Sequence, residues 1–350
     1  MSYKEIAIGE VCKYTTSGGT PKSNINEYYN PPTIPWLKTK EVNYCRIYET
    51  ETYISEEGLE KSSAKLIPPN SVIVAMYGQG DTAGRVAINK IPLTTNQACC
   101  NLIIDEDKAN YEFVYYALTS LYSKLVSLKN GGAQPNLNAT LVRGIKIPYP
   151  DLSIQHRIAD ILYAYDDLIE NNQKQIKLLE EAAQRLYQEW FVDLRCPGHE
   201  HTKIVDGVSD GWEPCTLDDV IEFDPKVRLD KDRIKQFVPM SALSTSSMVL
   251  DMNEINKTTS NSGSKFQNGD TLLARITPCL ENGKTAFVHG LESDEGAVGS
   301  TEYIVMRSKK LNPYMVYLLS RTNDFRQSAI NSMSGSDGRQ RVKADKLKAL

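Results

Sequence analysis

The sequence IPYPDLSIQHRIADIL, residues 147–162, joins two kinds of secondary structure, because a strand punctuated by prolines passes there directly into a helix. An apolar repeat of seven residues then continues for about five heptads, which predicts a coiled-coil seam. At 1.5 Å per residue, such a helix forms a rod of roughly 60 Å. The seam consists of Ile158, Leu162, Tyr165, Ile169, Asn172, Ile176, Leu179, Ala183, Leu186 and Trp190.

A seam of this length predicts an equally long partner helix. Asn172 interrupts the apolar stripe, and a single core asparagine typically fixes the register of a coiled coil. The alternative, a long amphipathic helix that packs on its own domain, stays open at this point.

Six segments before this helix have counterparts after it, in the same order. They are IAIGEVCKYT (6–15) with CTLDDVIEFD (215–224), WLKTKEV (36–42) with FVPMSAL (237–243), SVIVAMYG (71–78) with DTLLARIT (270–277), GRVA (84–87) with GKTA (283–286), FVYYAL (113–118) with MVYLLS (315–320), and GAQPNLNATLVRGI (132–145) with DGRQRVKADKLKAL (337–350). Each pairing is weak alone, but six in one order predict a duplicated domain.

The predicted fold class is α+β, with mixed sheets and short helices in each of two homologous domains. Short apolar runs punctuated by Gly, Pro and Asn indicate the strands. The domain boundaries that we predict are 1–150 for the first domain, 151–195 for the helix, 196–211 for a linker and 212–350 for the second domain. Matching strands joined by loops of different length favour a common scaffold whose loops recognise different ligands in the two repeats.

Composition places the chain among globular proteins. Its 350 residues are 41% hydrophobic and 24% charged, and no run approaches eighteen apolar residues. The start lacks the apolar core of a signal peptide. The seven cysteines show no disulfide-like spacing, so we expect free thiols and a cytoplasmic location.

The net charge of −4 conceals an uneven distribution. Residues 1–150 hold 15 basic and 14 acidic side chains, residues 151–200 hold 5 and 10, and the remainder holds 20 and 20. The acidity therefore lies on the long helix, and the basic residues of the flanking domains can gather on one face. A nucleic-acid-binding protein remains compatible with this charge.

Several motifs together resemble the specificity subunit of Type I restriction–modification systems. They are SGGTPKSNINEYY (17–29), IPWLKTKEV (34–42), TNQA (95–98) and, most specifically, GGAQPNLNATLVRGIKIPYPDLSIQHRIADIL (131–162). The resemblance covers the whole chain. It implies two target-recognition domains that each read half of a split DNA sequence, held apart by an antiparallel coiled coil.

The resemblance also implies partners. In that family the coiled coil docks two methyltransferase subunits, which bind S-adenosylmethionine and methylate adenine, and a motor–nuclease subunit joins for restriction of foreign DNA. This chain would itself carry no cofactor. A rigid helix between two readers would then fix the distance between their half-sites. Half-sites one turn, roughly 34 Å, apart meet the same face of a duplex.

One departure from the family pattern concerns the second helix. The second repeat stops at Leu350, the counterpart of Ile145, before KIPYPDLSIQHRIADIL would recur. Either the sequence is cut short there, or another chain supplies the second helix. The exposed seam favours the second option, because a bare apolar stripe of this length would otherwise face water.

No catalytic or metal-binding constellation is predicted. The motif YYNPPT (28–33) resembles the Asn-Pro-Pro-aromatic motif of adenine methyltransferases, but Thr33 stands where the aromatic residue belongs. The motif CPGHEH offers Cys196, His199 and His201 without a second ligand pair. A phosphate loop of the form GxxxxGK[ST] is missing from the sequence.

DNA contacts require Lys, Arg and small hydroxyls for phosphates, and Arg, Lys, Asn or Gln for base edges. The polar loops offer Ser17, Thr20, Lys22, Lys38, Lys40, Tyr77, Arg85, Asn96, Gln97, Gln134 and Asn136 in the first repeat, and Arg228, Arg275, Lys284, Thr301, Arg339 and Arg341 in the second. Two other interpretations stay open: the recognition part of a single-chain methyltransferase–nuclease, and a coiled-coil adaptor that does not bind DNA.

Overall fold

The structure is a computed structural model that describes residues 3–78, 80–128, 136–205, 208–231, 233–293, 296–336 and 338–350. It divides into two compact units, Met1–Glu170 (unit 1) and Asn171–Leu350 (unit 2). The boundary between the units falls inside the long helix. Each unit is described by itself.

Unit 1 is built on two mixed sheets and one short strand pair. Its strands are β1 Glu5–Ala7, β2 Cys12–Ser17, β3 Ile34–Leu37, β4 Cys45–Ile47, β5 Tyr53–Ile54, β6 Leu66–Ile67, β7 Val72–Ala75, β8 Val86–Asn89, β9 Leu93–Thr95, β10 Cys99–Ile104 and β11 Lys146–Pro148. The larger sheet has the order β2-β10-β7-β8-β4 and the smaller one β5-β3-β9-β6. β1 pairs antiparallel with β11, the strand that leads into the long helix.

Three short helices of unit 1 and the start of the long helix pack against one face of the larger sheet. The helices of unit 1 are α1 Glu56–Glu60, α2 Tyr111–Ser120, α3 Tyr122–Ser127, α4 Ala139–Gly144 and the long helix α5 Leu152–Tyr187, and 3-10 turns occur at Ile8–Glu10, Asn26–Tyr28 and Thr39–Glu41. Strand β7 has the sequence VIVA and is buried on both faces. Val72 and Val74 pack in the core that contains α2, whereas Ile73 and Ala75 pack toward the smaller sheet. This burial on both faces explains why the strand is continuously apolar.

Unit 2 repeats this architecture. Its strands are β12 Ile204–Val205, β13 Val208–Ser209, β14 Ile221–Phe223, β15 Lys235–Val238, β16 Asn256–Thr258, β17 Ser264–Phe266, β18 Thr271–Ala274, β19 Thr285–Phe287, β20 Ala297–Gly299 and β21 Tyr303–Ser308. Its short helices are α6 Leu217–Val220, α7 Pro313–Arg321, α8 Asn323–Asn331 and α9 Ala344–Lys348, with 3-10 turns at His199–His201, Met240–Ala242 and Met252–Glu254. The sheets have the orders β14-β21-β18-β19 and β16-β15-β20-β17.

The strand orders confirm the predicted duplication. β2-β10-β7-β8 corresponds to β14-β21-β18-β19, and β5-β3-β9-β6 corresponds to β16-β15-β20-β17. The central pair is parallel in both smaller sheets, β3 with β9 and β15 with β20. The predicted α+β class, with two homologous domains and a long helix between the repeats, is therefore correct.

The long helix begins at Leu152, directly after the proline-punctuated strand, and its last turn, Gln188–Val192, is π-helical. The seam side chains are largely exposed in each unit: Tyr165 is 64% exposed, Ile176 46% and Leu179 69%. The face of the helix that packs on unit 1 includes the fully buried Gln155 and Ala159, and the first seam residue, Ile158, packs half-buried against the same core. The predicted partner helix for the seam stays a prediction. Among the helices of the described ranges, none is long and apolar enough to cross a membrane.

Candidate nucleic-acid interface

Three loops of unit 1 are joined by backbone hydrogen bonds into one cluster. They are the loop after β7, the turn between β9 and β10, and the segment that leads into α4. The backbone N–H of Met76 donates to the carbonyl oxygen of Ala98 at 2.8 Å, and that of Leu137 donates to Met76 at 2.9 Å. We call this arrangement the three-loop cluster of unit 1. It brings Tyr77, Gln97 and Asn136, three of the predicted residues, onto neighbouring loops.

Unit 2 contains the same cluster, with the same bonds at equivalent positions. The backbone N–H of Arg275 donates to the carbonyl oxygen of Glu302 at 3.0 Å, and that of Val342 donates to Arg275 at 2.9 Å. Arg275 is equivalent to Met76, and Val342 to Leu137, by the sequence repeats. Glu302 is equivalent to Ala98 by strand register, because each precedes the residue that pairs with the equivalent alanines Ala274 and Ala75. The three-loop cluster of unit 2 carries the predicted residues Arg275, Thr301 and Arg341.

The side chains at equivalent positions of the two clusters differ in chemistry. Unit 1 has Gln97 and Asn136 where unit 2 has Thr301 and Arg341. Unit 1 also has the uncharged Met76 and Ala98 where unit 2 has Arg275 and Glu302. Backbone geometry that is kept while side chains change is typical of a scaffold that selects different ligands in its two copies.

Gly18 and Gly19 allow the loop after β2 to pack closely against the cluster of unit 1. A Cβ atom on Gly18 would lie 2.0 Å from the carbonyl oxygen of Thr95, so a larger residue does not fit there. The backbone N–H of Gly19 donates to the same oxygen at 2.9 Å. As a consequence, the hydroxyl of Thr20 donates to the side-chain carbonyl of Gln97.

In unit 2, a basic cleft of about 360 Å³ adjoins the cluster. Its lining includes Lys226, Lys265, Arg275 and Thr301, with Asp224 as the acidic member. The Nε atom of Arg275 is buried and has no hydrogen-bond partner in the described part of the chain. Three cations against one carboxylate make this cleft attractive to an anionic ligand.

Arg341 is held by a carboxylate beside this cleft. Its Nε and Nη2 atoms donate to the two carboxylate oxygens of Glu302 at 2.8 and 2.7 Å. The hydrogen bonds from Arg341 hold the pKa of Glu302 below its usual value, and Glu302 in turn raises the pKa of Arg341. Both groups therefore stay charged at neutral pH.

Other predicted residues are engaged within their own unit. Lys38 lies over the ring of Trp36 at 5.0 Å, Lys40 pairs with Glu51, and Arg85 bonds Asp81 at 2.6 Å and Asn43 at 2.8 Å. The amide oxygen of Asn96 accepts a contact from the thiol of Cys99, and Lys284 donates to the carbonyl oxygen of Met240 at 2.8 Å. These contacts orient the side chains, and their role toward DNA stays a prediction.

The remaining predicted residues fall into three groups. Lys22, Arg228, Thr301 and Arg339 are exposed, with no side-chain partner in the ranges that the structure describes. Ser17, Tyr77, Asn136 and Arg275 are half-buried. Gln134 lies outside the described residues.

Sequence reasoning missed Lys226, Lys265, Glu302 and Arg46. Lys265 follows a glycine that lets the chain approach β20, since a Cβ atom on Gly263 would lie 2.1 Å from the carbonyl oxygen of Gly299. Among these four residues, Lys265 has such a glycine signal close by in the sequence. The other residues acquire their roles from contacts between segments far apart in the chain.

Arg46 fixes the first half of helix α5 to unit 1. Its side chain is 3% exposed and bonds Asp167 at 2.5 Å and Glu170 at 2.7 Å. It also lies over the ring of Tyr163, 4.3 Å from the centroid. We call these four residues the Arg46 cluster. These polar contacts add to the apolar packing of Ile158 and Ala159 at the start of the helix, and they do not involve the exposed seam residues.

Further acidic residues of α5 bond within their own unit. The hydroxyl of Tyr116 donates to Asp166 at 2.7 Å in unit 1. In unit 2, Glu180 accepts from the backbone N–H of Met248 at 2.9 Å and from the hydroxyl of Ser247 at 3.2 Å. The acidic character predicted for the helix is thus partly used by the units themselves.

The CPGHEH segment forms a turn in which the ring nitrogen Nδ1 of His199 contacts the carbonyl oxygen of Cys196 at 2.9 Å. Across the described ranges, no group of three or more His, Cys, Asp or Glu side chains lies together so that it could hold a metal ion.

Comparison with known families identifies this architecture. Residues 2–181 match the model of the Type I restriction modification DNA specificity domain. The match covers more than half of the chain and includes the SGGTP, TNQA and strand-to-helix motifs. The chain belongs to this family, which confirms the resemblance seen in its sequence.

Two curated relatives agree with this assignment. The Type I restriction enzyme MjaIX specificity subunit of Methanocaldococcus jannaschii is 33% identical over 61% of this chain and 50% of its own length. The EcoR124I/EcoR124II specificity subunit of Escherichia coli is 31% identical over 55% of this chain and 49% of its own length. The chain spans about half the length of these relatives.

A solved structure supports the fold. The crystal structure of the S subunit of a Type-I restriction-modification system from M. genitalium matches 99% of this chain and 83% of that chain, with a TM-score of 0.55. The sequence identity is 12%, so this likeness concerns the fold alone.

Proposed function

We propose that this chain is the DNA sequence-recognition subunit of a Type I restriction–modification complex, and that each unit reads one half of a split target. The observation that carries this proposal is the recurrence of the three-loop cluster with different side chains. Gln97 and Asn136 in unit 1 are replaced by Thr301 and Arg341 in unit 2 at equivalent positions. Two copies of one scaffold with different polar groups suit two different half-sites.

Phosphate contacts would come from the exposed cations around each cluster. Lys22 in unit 1 and Arg228 and Arg339 in unit 2 are exposed and have no side-chain partner among the described residues. Lys226 and Lys265 line the basic cleft. Such contacts supply affinity that does not depend on sequence, whereas the cluster residues would supply base readout.

The long helix would serve as the docking rod for two methyltransferase subunits, with the motor–nuclease subunit joining the complex for cleavage. The exposed seam at Ile169, Ile176 and Leu179 supports a helical partner, because an apolar stripe on a charged helix is typical of a coiled coil. S-adenosylmethionine would bind to the methyltransferase subunits, and this chain would take part in recognition without being catalytic.

The test combines two measurements on the purified chain. Calorimetry should detect no binding of S-adenosylmethionine to the chain alone. After reconstitution with its methyltransferase subunits, the complex should methylate adenine in a defined DNA sequence. Binding of S-adenosylmethionine by the chain alone, or methylation without sequence preference, would contradict the proposal.

A matched pair of variants tests the independence of the units. Gln97→Ala should alter recognition of one half-site, and Thr301→Val should alter recognition of the other. Neither substitution removes a core side chain, since both residues are exposed. Loss of both half-sites in either variant would show that the units do not read independently.

A further inference from the structure

We infer that the position occupied by Asn136 in unit 1 and Arg341 in unit 2 selects the base in each half-site: adenine through the amide, guanine through the guanidinium. This inference rests on the proposed function and assigns the contact to one side chain in each unit.

The backbone of Arg341 is fixed by bonds to two neighbouring segments. Its N–H donates to the carbonyl oxygen of Ser334 at 2.9 Å, and the N–H of Ser334 donates back to Arg341 at 3.0 Å. On either side of Arg341, the N–H of Val342 donates to the carbonyl oxygen of Arg275 at 2.9 Å, and the carbonyl oxygen of Gln340 accepts from the N–H of Thr277 at 3.0 Å. A side chain on such a platform is placed with the rigidity that base readout requires.

The guanidinium of Arg341 is oriented by Glu302 in a way that leaves its far edge open. The carboxylate of Glu302 accepts hydrogen bonds from the edge formed by Nε and Nη2. The carbonyl oxygen of Arg339 lies 3.4 Å from Nη1, at the long end of hydrogen-bond geometry. The edge formed by Nη1 and Nη2 can therefore donate two parallel hydrogen bonds. The side chain is 40% exposed, so this edge is accessible.

Two parallel donors match the O6 and N7 acceptors of guanine in the major groove. A phosphate also accepts two such bonds, so the distinction between base and backbone needs a test. The position in the fold favours the base. Lys226 and Lys265 line the cleft together with the neighbouring Arg275 and offer cations for phosphates there.

The equivalent position in unit 1 carries an amide in a neutral setting. Asn136 precedes Leu137, whose N–H bonds Met76, just as Arg341 precedes Val342, whose N–H bonds Arg275. Ala98 stands where Glu302 orients the arginine, so unit 1 lacks both the cation and its carboxylate partner. An asparagine offers one donor and one acceptor side by side, the pattern that matches N7 and N6 of adenine.

The test is selection of bound duplexes from a library randomised at both half-sites, with the full chain reconstituted with its methyltransferase subunits. The wild-type complex should select a guanine in one half-site that Arg341→Asn no longer selects, with the other half-site unchanged. A good bidentate contact corresponds to roughly 10- to 100-fold discrimination against the wrong base. Asn136→Arg should introduce a guanine preference at one position of the half-site that Arg341→Asn leaves intact.

Arg341→Lys separates a base contact from a phosphate contact. Lysine keeps the charge but loses the planar fork, so guanine selection should fall while affinity for the remaining sequence is largely kept. Lys257→Asn, which removes an exposed cation of the same unit paired with Glu292 at 3.4 Å, serves as the control and should leave selection unchanged.

Two results would overturn the inference. If Arg341→Asn weakens binding to all duplexes equally while the guanine preference is kept, Arg341 contacts a phosphate. If the half-site that responds to Arg341 contains no guanine, the pairing is wrong. A wild-type complex that selects no sequence at all would contradict the proposed function itself, and the inference with it.

Discussion

Replacing Arg46 by methionine removes two charge-assisted hydrogen bonds between unit 1 and helix α5. Hydrogen bonds to charged groups typically contribute about 1.5–3 kcal/mol each. About 1–2 kcal/mol for each bond applies here, because the carboxylates of Asp167 and Glu170 are 59% and 39% exposed and regain water when the arginine is removed. We therefore expect a loss of about 2–4 kcal/mol in the free energy that holds α5 on unit 1.

The assay is native-state amide hydrogen exchange on the full chain. Segment 163–170 should exchange roughly 30- to 1,000-fold faster in Arg46→Met, because 1.4 kcal/mol corresponds to a factor of ten in the opening equilibrium. The matched control is Lys61→Met, which removes an exposed pair with Glu57 and should leave the exchange of segment 163–170 unchanged.

A double-mutant cycle with Glu170→Gln tests the cause. The two substitutions should be strongly non-additive, because each removes the same bond. Unchanged protection of segment 163–170 in Arg46→Met would show that the bonds of Arg46 do not hold the helix on unit 1. In that case the remaining contacts of α5, such as the bond from Tyr116 to Asp166, would be sufficient to hold the helix.

Three further predictions follow from the seam, the carboxylate of unit 2 and the basic residues. Ile176→Ala with Leu179→Ala should change the unfolding free energy of the isolated chain by no more than about 1 kcal/mol, since both side chains are exposed. The same variant should weaken assembly with the partner helix by about 2–5 kcal/mol per residue, measured by calorimetry. Unfolding of the units together with the helix would contradict this prediction. The pKa of Glu302 is lowered by Arg341, so their pair stabilises unit 2 above the unfolded-state pKa of about 4.3, and this contribution is lost as the pH falls through the lowered pKa. Glu302→Gln should therefore weaken the loss of unit 2 stability at acid pH in denaturant titrations, and an unchanged pH profile would contradict the pair. DNA affinity should fall with salt, the logarithm decreasing by about 0.9 for each phosphate contact per logarithmic unit of salt, and an affinity indifferent to salt in filter binding would argue against phosphate contacts.

The repeats made the fold largely predictable. The alignment of SVIVAMYG with DTLLARIT placed β7 and β18 in equivalent positions, and the proline-punctuated entry marked the start of α5. Such features are local or periodic, so a sequence carries them directly.

The site was predictable only as a set of candidate residues. Arg46 meets Asp167 and Glu170 across more than a hundred residues of sequence, and nothing near Arg46 marks it as a helix anchor. Arg341 was recognised as a cation, but the carboxylate that orients it, Glu302, lies in another loop. Pairings of this kind arise from tertiary packing, which no local pattern encodes.

Methylome sequencing of a host that carries this chain with its methyltransferase subunits tests whether the two units recognise two half-sites of one target. Two copies of one scaffold with different polar groups predict a single split motif, with two unlike halves separated by a gap of fixed length and a methylated adenine in each half. A continuous motif, two identical halves or a gap of variable length would contradict the account.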